Sequence, residues 1–171
     1  MTPDDIIEVS DADAMRDFGR SFASQLRRGD VVLLHGELGA GKTTLTQGIA
    51  AGLGVQGPVQ SPTFSIVLEH DGVDADGGGL HLYHLDLYRL DDPEDLENLG
   101  YDQYIEPVDG ISIIEWPERA GPCLPERFWL LRITHSEDGG RLIGGSWHEP
   151  GPNPLRTSKA YPSNRPSQRN R

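Results

Sequence analysis

The sequence predicts an α/β fold in which helices flank a mixed parallel and antiparallel sheet. Its 171 residues are enough for one core of this kind and short for two. An apolar run, a glycine-rich loop and a helix-forming run follow one another at 31–53, as in a strand–loop–helix unit. Two later strand-like segments are joined by a polar, glycine-rich turn, which makes them antiparallel neighbours.

The N-terminal segment predicts a short strand and then an amphipathic helix. The strand lies near Ile6–Val9, and Ser10 or Asp11 caps the helix. Apolar side chains recur every four residues and give the helix one buried face: Ala14, Phe18, Phe22 and Leu26.

The next strand, at 31–35, leads into the complete phosphate-binding loop signature Gly36-x-x-x-x-Gly41-Lys42-Thr43. Its glycines permit a backbone that turns successive N–H groups inward as an anion-binding nest at a helix N-terminus. Lys42 is expected to reach the outer phosphates, and the Thr43 hydroxyl to bind Mg²⁺. The sequence thus predicts a P-loop NTPase-like domain with these residues on the nucleotide: Glu37, Leu38, Gly39, Ala40, Gly41, Lys42, Thr43 and Thr44.

The middle of the chain predicts an irregular segment and a hairpin. Residues 54–64 are too rich in Gly and Pro to be regular, and they lead into a strand at 64–70. The turn "DGVDADGGG" joins this strand to a long one at 80–90.

The C-terminal half predicts one helix and three strands. Asp91 or Asp92 directly precedes the short helix, Pro93 is its first helical residue, and the helix ends near Gly100. The strands are expected at 111–116, 127–135 and 141–147, the last two joined through 137–140.

Residues 149–171 are rich in Pro, Ser, Asn and Arg and are predicted to form a disordered tail, so the domain spans 1–148. The tail holds five of the 15 Lys and Arg residues and one of the 27 acidic ones. The body therefore keeps ten basic and 26 acidic residues, a formal charge of −16. This body should repel bare nucleic acid, whereas the basic tail is either a solvated extension or a contact for RNA or an acidic partner.

Composition also predicts a cytoplasmic protein. The single cysteine, Cys123, allows no internal disulfide, which suits a reducing compartment. The N-terminal residues show no basic region followed by an apolar stretch, and no apolar run approaches about 18 residues. Neither a signal peptide nor contact with a membrane is expected.

Two strand-borne acids are candidates for the chemistry that a phosphate loop alone does not supply. Asp86 lies within the apolar stretch "HLDLY", where a charge is unfavourable unless it is paired, hydrogen-bonded as a structural Asp, or beside a metal. Glu115 ends an apolar strand, where α/β sheets deliver ligand-contacting side chains. Both are predicted in the Mg²⁺ and catalytic shell, Glu115 either as a ligand or in positioning water.

Two further residues are candidates beside them. Thr63, in "SPTF", is expected to sense the outermost phosphate or to be a plain turn residue. Trp116 is expected to cover the site or to pack in the core. His81 and His84 lie three residues apart on a strand and so on opposite faces, which argues against joint metal binding.

Five segments, in this order, resemble the bacterial TsaE family: "HGELGAGKTT", "SPTFSIV", "YHLDLYRL", "EDLENLGYDQYI" and "IIEWPERAG". The resemblance spans about residues 5–145 and implies a small ATPase that supports threonylcarbamoyladenosine formation in tRNA. It implies as partners the threonylcarbamoyl-transferase subunit and its non-catalytic paralogue, with ATP hydrolysis resetting their complex and tRNA contacted only indirectly. It also implies that Asp11 and Ala12 border the base, and that Arg141 approaches the nucleotide.

Other functions are compatible with a phosphate loop. A small-molecule kinase needs an acceptor pocket and usually a basic lid, for which the sequence offers no arginine cluster. A GTPase ordinarily carries Asn-Lys-x-Asp, and Lys42 and Lys159 are the only lysines, which argues against a GTPase. ATP is the nucleotide that the resemblance implies. A module that uses ATP only to fix its shape remains an alternative to a slow ATPase.

Overall fold

One seven-stranded sheet organises the part of the chain described by the computed structural model, residues 6–74, 76–90, 96 and 100–150. The strands are β1 (Ile6–Val9), β2 (Val31–Gly36), β3 (Val67–Val73), β4 (Gly79–Asp86), β5 (Gly110–Glu115), β6 (Phe128–His135) and β7 (Arg141–His148). The helices are α1 (Ala12–Ala23), α2 (Lys42–Gly52), α3 (Asp102–Ile105) and a 3₁₀ helix, Pro117–Cys123.

The sheet is parallel at its centre and antiparallel at both edges. The strand order is β1-β7-β6-β2-β5-β4-β3. Strands β6, β2, β5 and β4 run parallel, whereas β7 and β3 run antiparallel to their inner neighbours, and β1 runs antiparallel to β7. The mixed α/β fold predicted from the sequence is therefore confirmed.

Alternate residues of the central strands divide the core between two faces. Val32 and Leu34 of β2 pack with α1 and α2, while Val31 and Leu33 pack with α3 and the 3₁₀ helix. All four side chains are at most 1% exposed. A strand buried on both faces is expected at the centre of a parallel sheet, because helices cover both sides.

Helix α1 begins as predicted and ends earlier. Asp11 is its N-cap, and the Asp11 carboxylate accepts hydrogen bonds from the backbone N–H groups of Asp13 and Ala14. Ser10, the alternative cap, donates its hydroxyl to Asp11. The helix ends at Ala23, so Leu26 is buried from the following turn.

The predicted hairpin is present, but its first strand lies three residues later than expected and its second strand is shorter than expected. Strand β3 begins at Val67 rather than at residue 64, because the N–H groups of Ser65 and Ile66 both turn back to the carbonyl of Pro62. Strand β4 stops at Asp86 instead of continuing to residue 90, because the N–H of Leu90 closes a turn onto the carbonyl of Leu87. Asp86 thus ends its strand and does not lie inside it.

Two regions for which the sequence makes predictions lie outside the described residues. The helix expected between Asp91 and Gly100 falls outside the described residues except for Leu96 and Gly100, and so does the tail from residue 151 onward. In the described part of the chain, none of the helices has the length and apolar content that crossing a bilayer requires.

Helices α1 and α2 meet at a contact that excludes side chains. A Cβ on Gly19 would lie 2.7 Å from the carbonyl oxygen of Leu45, and one on Gly48 would overlap the carbonyl oxygen of Arg16. Both gaps are bounded by backbone, which does not swing aside as a flexible side chain does. Glycine at these positions therefore fixes how closely α1 approaches the helix that follows the phosphate loop.

We expect Gly48→Ala to lower the free energy of unfolding by about 1–3 kcal/mol, because overpacking outweighs the roughly 1 kcal/mol that Ala gains in a helix. Gly144→Ala on β7 is the control, because a Cβ there meets no atom within 4 Å. Urea denaturation of both variants measures the difference. Equal midpoints for Gly48→Ala and the wild type would show that the two helices separate without cost.

Candidate functional site

The carboxyl ends of three adjacent parallel strands meet at one edge of the sheet. The phosphate loop follows β2, Glu115 ends β5, and Asp86 ends β4 directly beside Glu115 in the strand register. Open α/β sheets bind ligands at this edge. The structure therefore brings together the loop and the two acids that the sequence singled out.

The loop backbone uses its glycines as the motif requires. Gly39 and Gly41 have φ values of 78° and 105°, which side-chain-bearing residues rarely adopt. A Cβ on Gly36 would lie 2.7 Å from the carbonyl oxygen of Ile133 on β6, so this position also excludes a side chain. Helix α2 begins at Lys42, directly after the loop, and its N-terminus favours an anion.

Arg141 connects the loop to the far strands of the sheet. Its guanidinium donates hydrogen bonds to the carbonyl oxygens of Ala40 (3.1 Å) and Gly39 (3.2 Å). It also donates to the carbonyl oxygens of Gly139 and Gly140 in its own hairpin. Arg141 thus lies at the loop, and its donors are engaged by backbone acceptors.

Lys42 is buried inside the loop that it completes. Its side chain is 5% exposed, and its ammonium donates to the carbonyl oxygens of Gly36 (2.8 Å) and Glu37 (2.9 Å). Burial lowers the pKa of Lys42 below its ordinary value, and nearby carboxylates, that of Glu115 first, act in the opposite direction. The ammonium is therefore held by backbone oxygens of the loop itself.

Glu115 joins the loop to the sheet. Its Oε2 accepts a hydrogen bond from the Thr43 hydroxyl at 3.2 Å, and its Oε1 lies 2.8 Å from Nε2 of His84. The Glu115 residue is only 2% exposed. A buried carboxylate is stable only when its oxygens have partners, and here each oxygen has one.

Asp86 holds the "SPTF" segment. Its Oδ2 accepts hydrogen bonds from the hydroxyls of Ser61 (2.6 Å) and Thr63 (2.9 Å), and its Oδ1 accepts one from the N–H of Tyr88. Asp86 is 4% exposed. Thr63 is therefore beside the acid at the sheet edge, and its contact with Asp86 goes beyond that of a plain turn residue.

Trp116 lies over the loop lysine in a strained backbone conformation. The Nζ atom of Lys42 is 3.7 Å from the centre of the Trp116 ring, within cation–π range. Trp116 has φ 59°, an uncommon value for a bulky side chain. The ring is half-buried and also contacts Tyr88 at 4.9 Å between ring centres, so it both packs and borders the site.

The other predicted nucleotide contacts lie at the margin of this site. Glu37 and Leu38 are exposed at the loop surface, and Thr44 is half-buried in the first turn of α2. The carboxylate of Asp11 caps α1, whose first residue, Ala12, is exposed. Their contact with a nucleotide stays a prediction.

Two residues of the site were missed from the sequence. The sequence pattern indicates no role for Ser61 and raises His84 only as half of a metal pair, yet they contact Asp86 and Glu115 directly. His81 is exposed and His84 is fully buried, as expected for opposite faces. Because strand side chains alternate, His84 had to share a face with Asp86, and this signal was available.

The donor set of the site suits Mg²⁺ bound together with a nucleotide. The Thr43 hydroxyl and the carboxylates of Asp86 and Glu115 are hard oxygen ligands of the kind that Mg²⁺ prefers. The described residues contain no cluster of three or more His, Cys, Asp or Glu placed to hold a metal ion. Mg²⁺ bound with a nucleotide requires only one or two carboxylates besides the phosphates.

A family model described as "Threonylcarbamoyl adenosine biosynthesis protein TsaE" matches residues 9–143, which include every predicted site residue. Two similar proteins carry the name "tRNA threonylcarbamoyladenosine biosynthesis protein TsaE". The one from Haemophilus influenzae is 42% identical over 139 residues, covering 78% of this chain and 84% of the relative. The one from Streptomyces coelicolor is 46% identical over 123 residues, covering 71% and 80%.

The fold is also similar to a solved structure. The crystal structure of Bacillus subtilis YdiB superposes with a TM-score of 0.68 at 32% sequence identity. The superposition covers 85% of this chain and 85% of YdiB. The sequence comparisons and the fold comparison therefore both cover most of the chain.

Proposed function

The chain belongs to the TsaE family, and we propose that it is an ATP-binding, slowly ATP-hydrolysing accessory protein of tRNA threonylcarbamoyladenosine biosynthesis. Its relatives are named for that biosynthesis. In this proposal, hydrolysis resets a complex of the threonylcarbamoyl-transferase subunit and its non-catalytic paralogue between turnovers. The protein acts in the cytoplasm and reaches tRNA only through that complex.

The hydrogen bond between Thr43 and Glu115 carries the proposal. It joins the phosphate loop to a buried acid at 3.2 Å, across two strands that are neighbours in the sheet. A loop that only bound phosphate would need no such acid beside it. Lys42, Thr43 and Asp86 would hold Mg²⁺–ATP, with Glu115 beside them, and Mg²⁺–ATP supplies the phosphoryl group and a cation to neutralise its charge.

Glu115 and Asp86 have different roles in the proposed reaction. Glu115, fixed through both oxygens, is the group that orients the attacking water and accepts its proton. Asp86, adjacent to it in the sheet, holds Ser61 and Thr63 and so couples the "SPTF" segment to the site. The two roles differ because only Glu115 contacts the loop threonine.

Slow hydrolysis by the protein alone is expected if no arginine of its own stabilises the transferring phosphoryl group. The guanidinium of Arg141 already donates four of its five hydrogens to backbone carbonyl oxygens, which leaves one for a transferring phosphoryl group. An added arginine is worth roughly 10³ to 10⁵ in rate in related phosphate-loop enzymes. A partner that supplies such a cation should therefore stimulate the reaction.

Phosphate release with and without the transferase complex is the experiment that tests this function. Slow release that the complex accelerates supports the proposal. ATP-dependent binding to the complex without any release would instead indicate a module that uses ATP to fix its shape. Transfer of the phosphate to a small acceptor would indicate a kinase.

We expect Lys42→Ala to remove most of the affinity for Mg²⁺–ATP, because the loop loses its mobile cation. Thr43→Ala should instead weaken the Mg²⁺ dependence of binding, because the backbone nest survives and one metal ligand does not. Titration calorimetry measures both. Lys159→Ala, at the only other lysine, is the control, and equal ATP affinity in Lys42→Ala and the wild type would reject the phosphate-loop assignment.

We expect Glu115→Ala to bind ATP nearly as the wild type does and to hydrolyse it about 100-fold or more slowly, because a preorganised catalytic group is lost. Asp86→Ala should impair both steps, because three hydrogen-bond donors also lose their acceptor. Binding and single-turnover hydrolysis are measured on the same preparations. A wild-type hydrolysis rate in Glu115→Ala would assign that residue to structure.

We expect tight, ATP-dependent association with the transferase complex and only weak, salt-sensitive binding of tRNA through the basic tail. The acidic body, at a formal −16, opposes direct docking on phosphates. Binding of tRNA is compared between the full chain and a chain ending at Glu149, over a series of salt concentrations. Affinity retained by the shortened chain without the transferase would show that the body itself binds RNA.

A further inference from the structure

A fully buried histidine contacts the proposed catalytic acid. The side chain of His84 is 0% exposed, and its Nε2 lies 2.8 Å from Oε1 of Glu115, whose side chain is 3% exposed. A carboxylate oxygen accepts and does not donate, so the hydrogen of this bond is on the histidine nitrogen. His84 thus donates from β4 to an acid at the end of β5.

A structural role alone does not account for a histidine at this position. The second ring nitrogen, Nδ1, is buried and makes no hydrogen bond to any described residue. A buried polar atom without a partner costs about 1–3 kcal/mol. The neighbouring positions 82, 85 and 87 are all fully buried leucines, which fill such space without that cost.

The contact selects the orientation of the Glu115 carboxylate. With Oε1 bonded to His84, Oε2 is the oxygen that faces the Thr43 hydroxyl. Two hydrogen bonds in different directions stop rotation of the carboxylate about its last side-chain bond. The two oxygens are chemically equivalent, so with Thr43 alone one of them would keep that contact while the carboxylate plane was free to turn.

We infer that His84 is a positioning residue, which by donating Nε2–H to Glu115 holds the carboxylate in the orientation that faces the phosphate loop. The effect on orientation is independent of any reaction. The effect on rate rests on the proposed ATP hydrolysis. Loss of a partner of this kind typically costs 10–100-fold in activity at comparable sites.

Substitution of His84 by Gln and by Asn shows whether a donor must reach Glu115 or whether any polar side chain at position 84 is sufficient. The amide nitrogen of Gln reaches about as far as Nε2, whereas that of Asn ends near Nδ1 and falls short of Glu115. We expect His84→Asn to lower kcat about 10-fold or more with the KM for ATP little changed, and His84→Gln to stay within about threefold of the wild type. His70→Asn is the matched control, because its Nε2 is also buried without a hydrogen bond on the neighbouring strand.

A double variant tests whether His84 acts through Glu115. In the Glu115→Ala background, His84→Asn should cause no further loss of hydrolysis, because the group that it positions is absent. An equal loss in His84→Asn and His84→Gln would overturn the inference. The inference would also be overturned if His84→Asn lowered hydrolysis in the Glu115→Ala background by the same factor as in the wild type.

Crystal structures of the nucleotide-free variants give an answer that does not depend on hydrolysis. The inference requires the carboxylate plane of Glu115 to keep its wild-type orientation in His84→Gln and to turn away from it in His84→Asn. An unchanged carboxylate in His84→Asn would overturn it. A wild-type protein that hydrolyses no ATP would reject the proposed function, while these structures would still decide the role of His84.

Discussion

The burial of three charged side chains at one sheet edge constrains the rest of the structure. Lys42, Asp86 and Glu115 are 5%, 4% and 2% exposed. A buried charge without partners costs far more than a domain of this size can supply, so each must be satisfied locally. The partners come from other elements: loop carbonyls for Lys42, Thr43 and His84 for Glu115, and the 61–63 segment for Asp86. Moving the phosphate loop, β4 or the 61–63 segment would therefore remove a partner from one of these charges.

Two residues with strained backbone conformations lie next to the buried acids. Ile66 and Trp116 are the described non-glycine residues with positive φ, at 67° and 59°, and such conformations cost about 1–3 kcal/mol each. Trp116 directly follows Glu115, and the carbonyl of Ile66 accepts a hydrogen bond from the N–H of Asp86 at 2.9 Å. The strain is therefore located where both acids are held, which is common at functional sites.

Local patterns in the sequence predicted the parts of the site that depend on local geometry. The phosphate loop has a fixed spacing, and the strand expected at 111–116 corresponds to β5 with a shift of one residue at each end. Strand ends were less predictable, because "HLDLYRL" stays apolar beyond Asp86 and only the turn at Leu87–Leu90 stops the strand. The pairing of Asp86 with Glu115 is a matter of register between segments about 30 residues apart, which no local pattern encodes.

The antiparallel edges explain how segments distant from the phosphate loop reach it. Parallel strands all end at the loop side, so a neighbour that begins there must run the opposite way. Strand β7 does so, and its first residue, Arg141, lies opposite His135 at the end of β6 and contacts the loop. Strand β3 does the same beside β4, and this brings the preceding "SPTF" segment to Asp86. A purely parallel sheet would put both segments at the opposite edge, so the mixed topology itself helps to build the site.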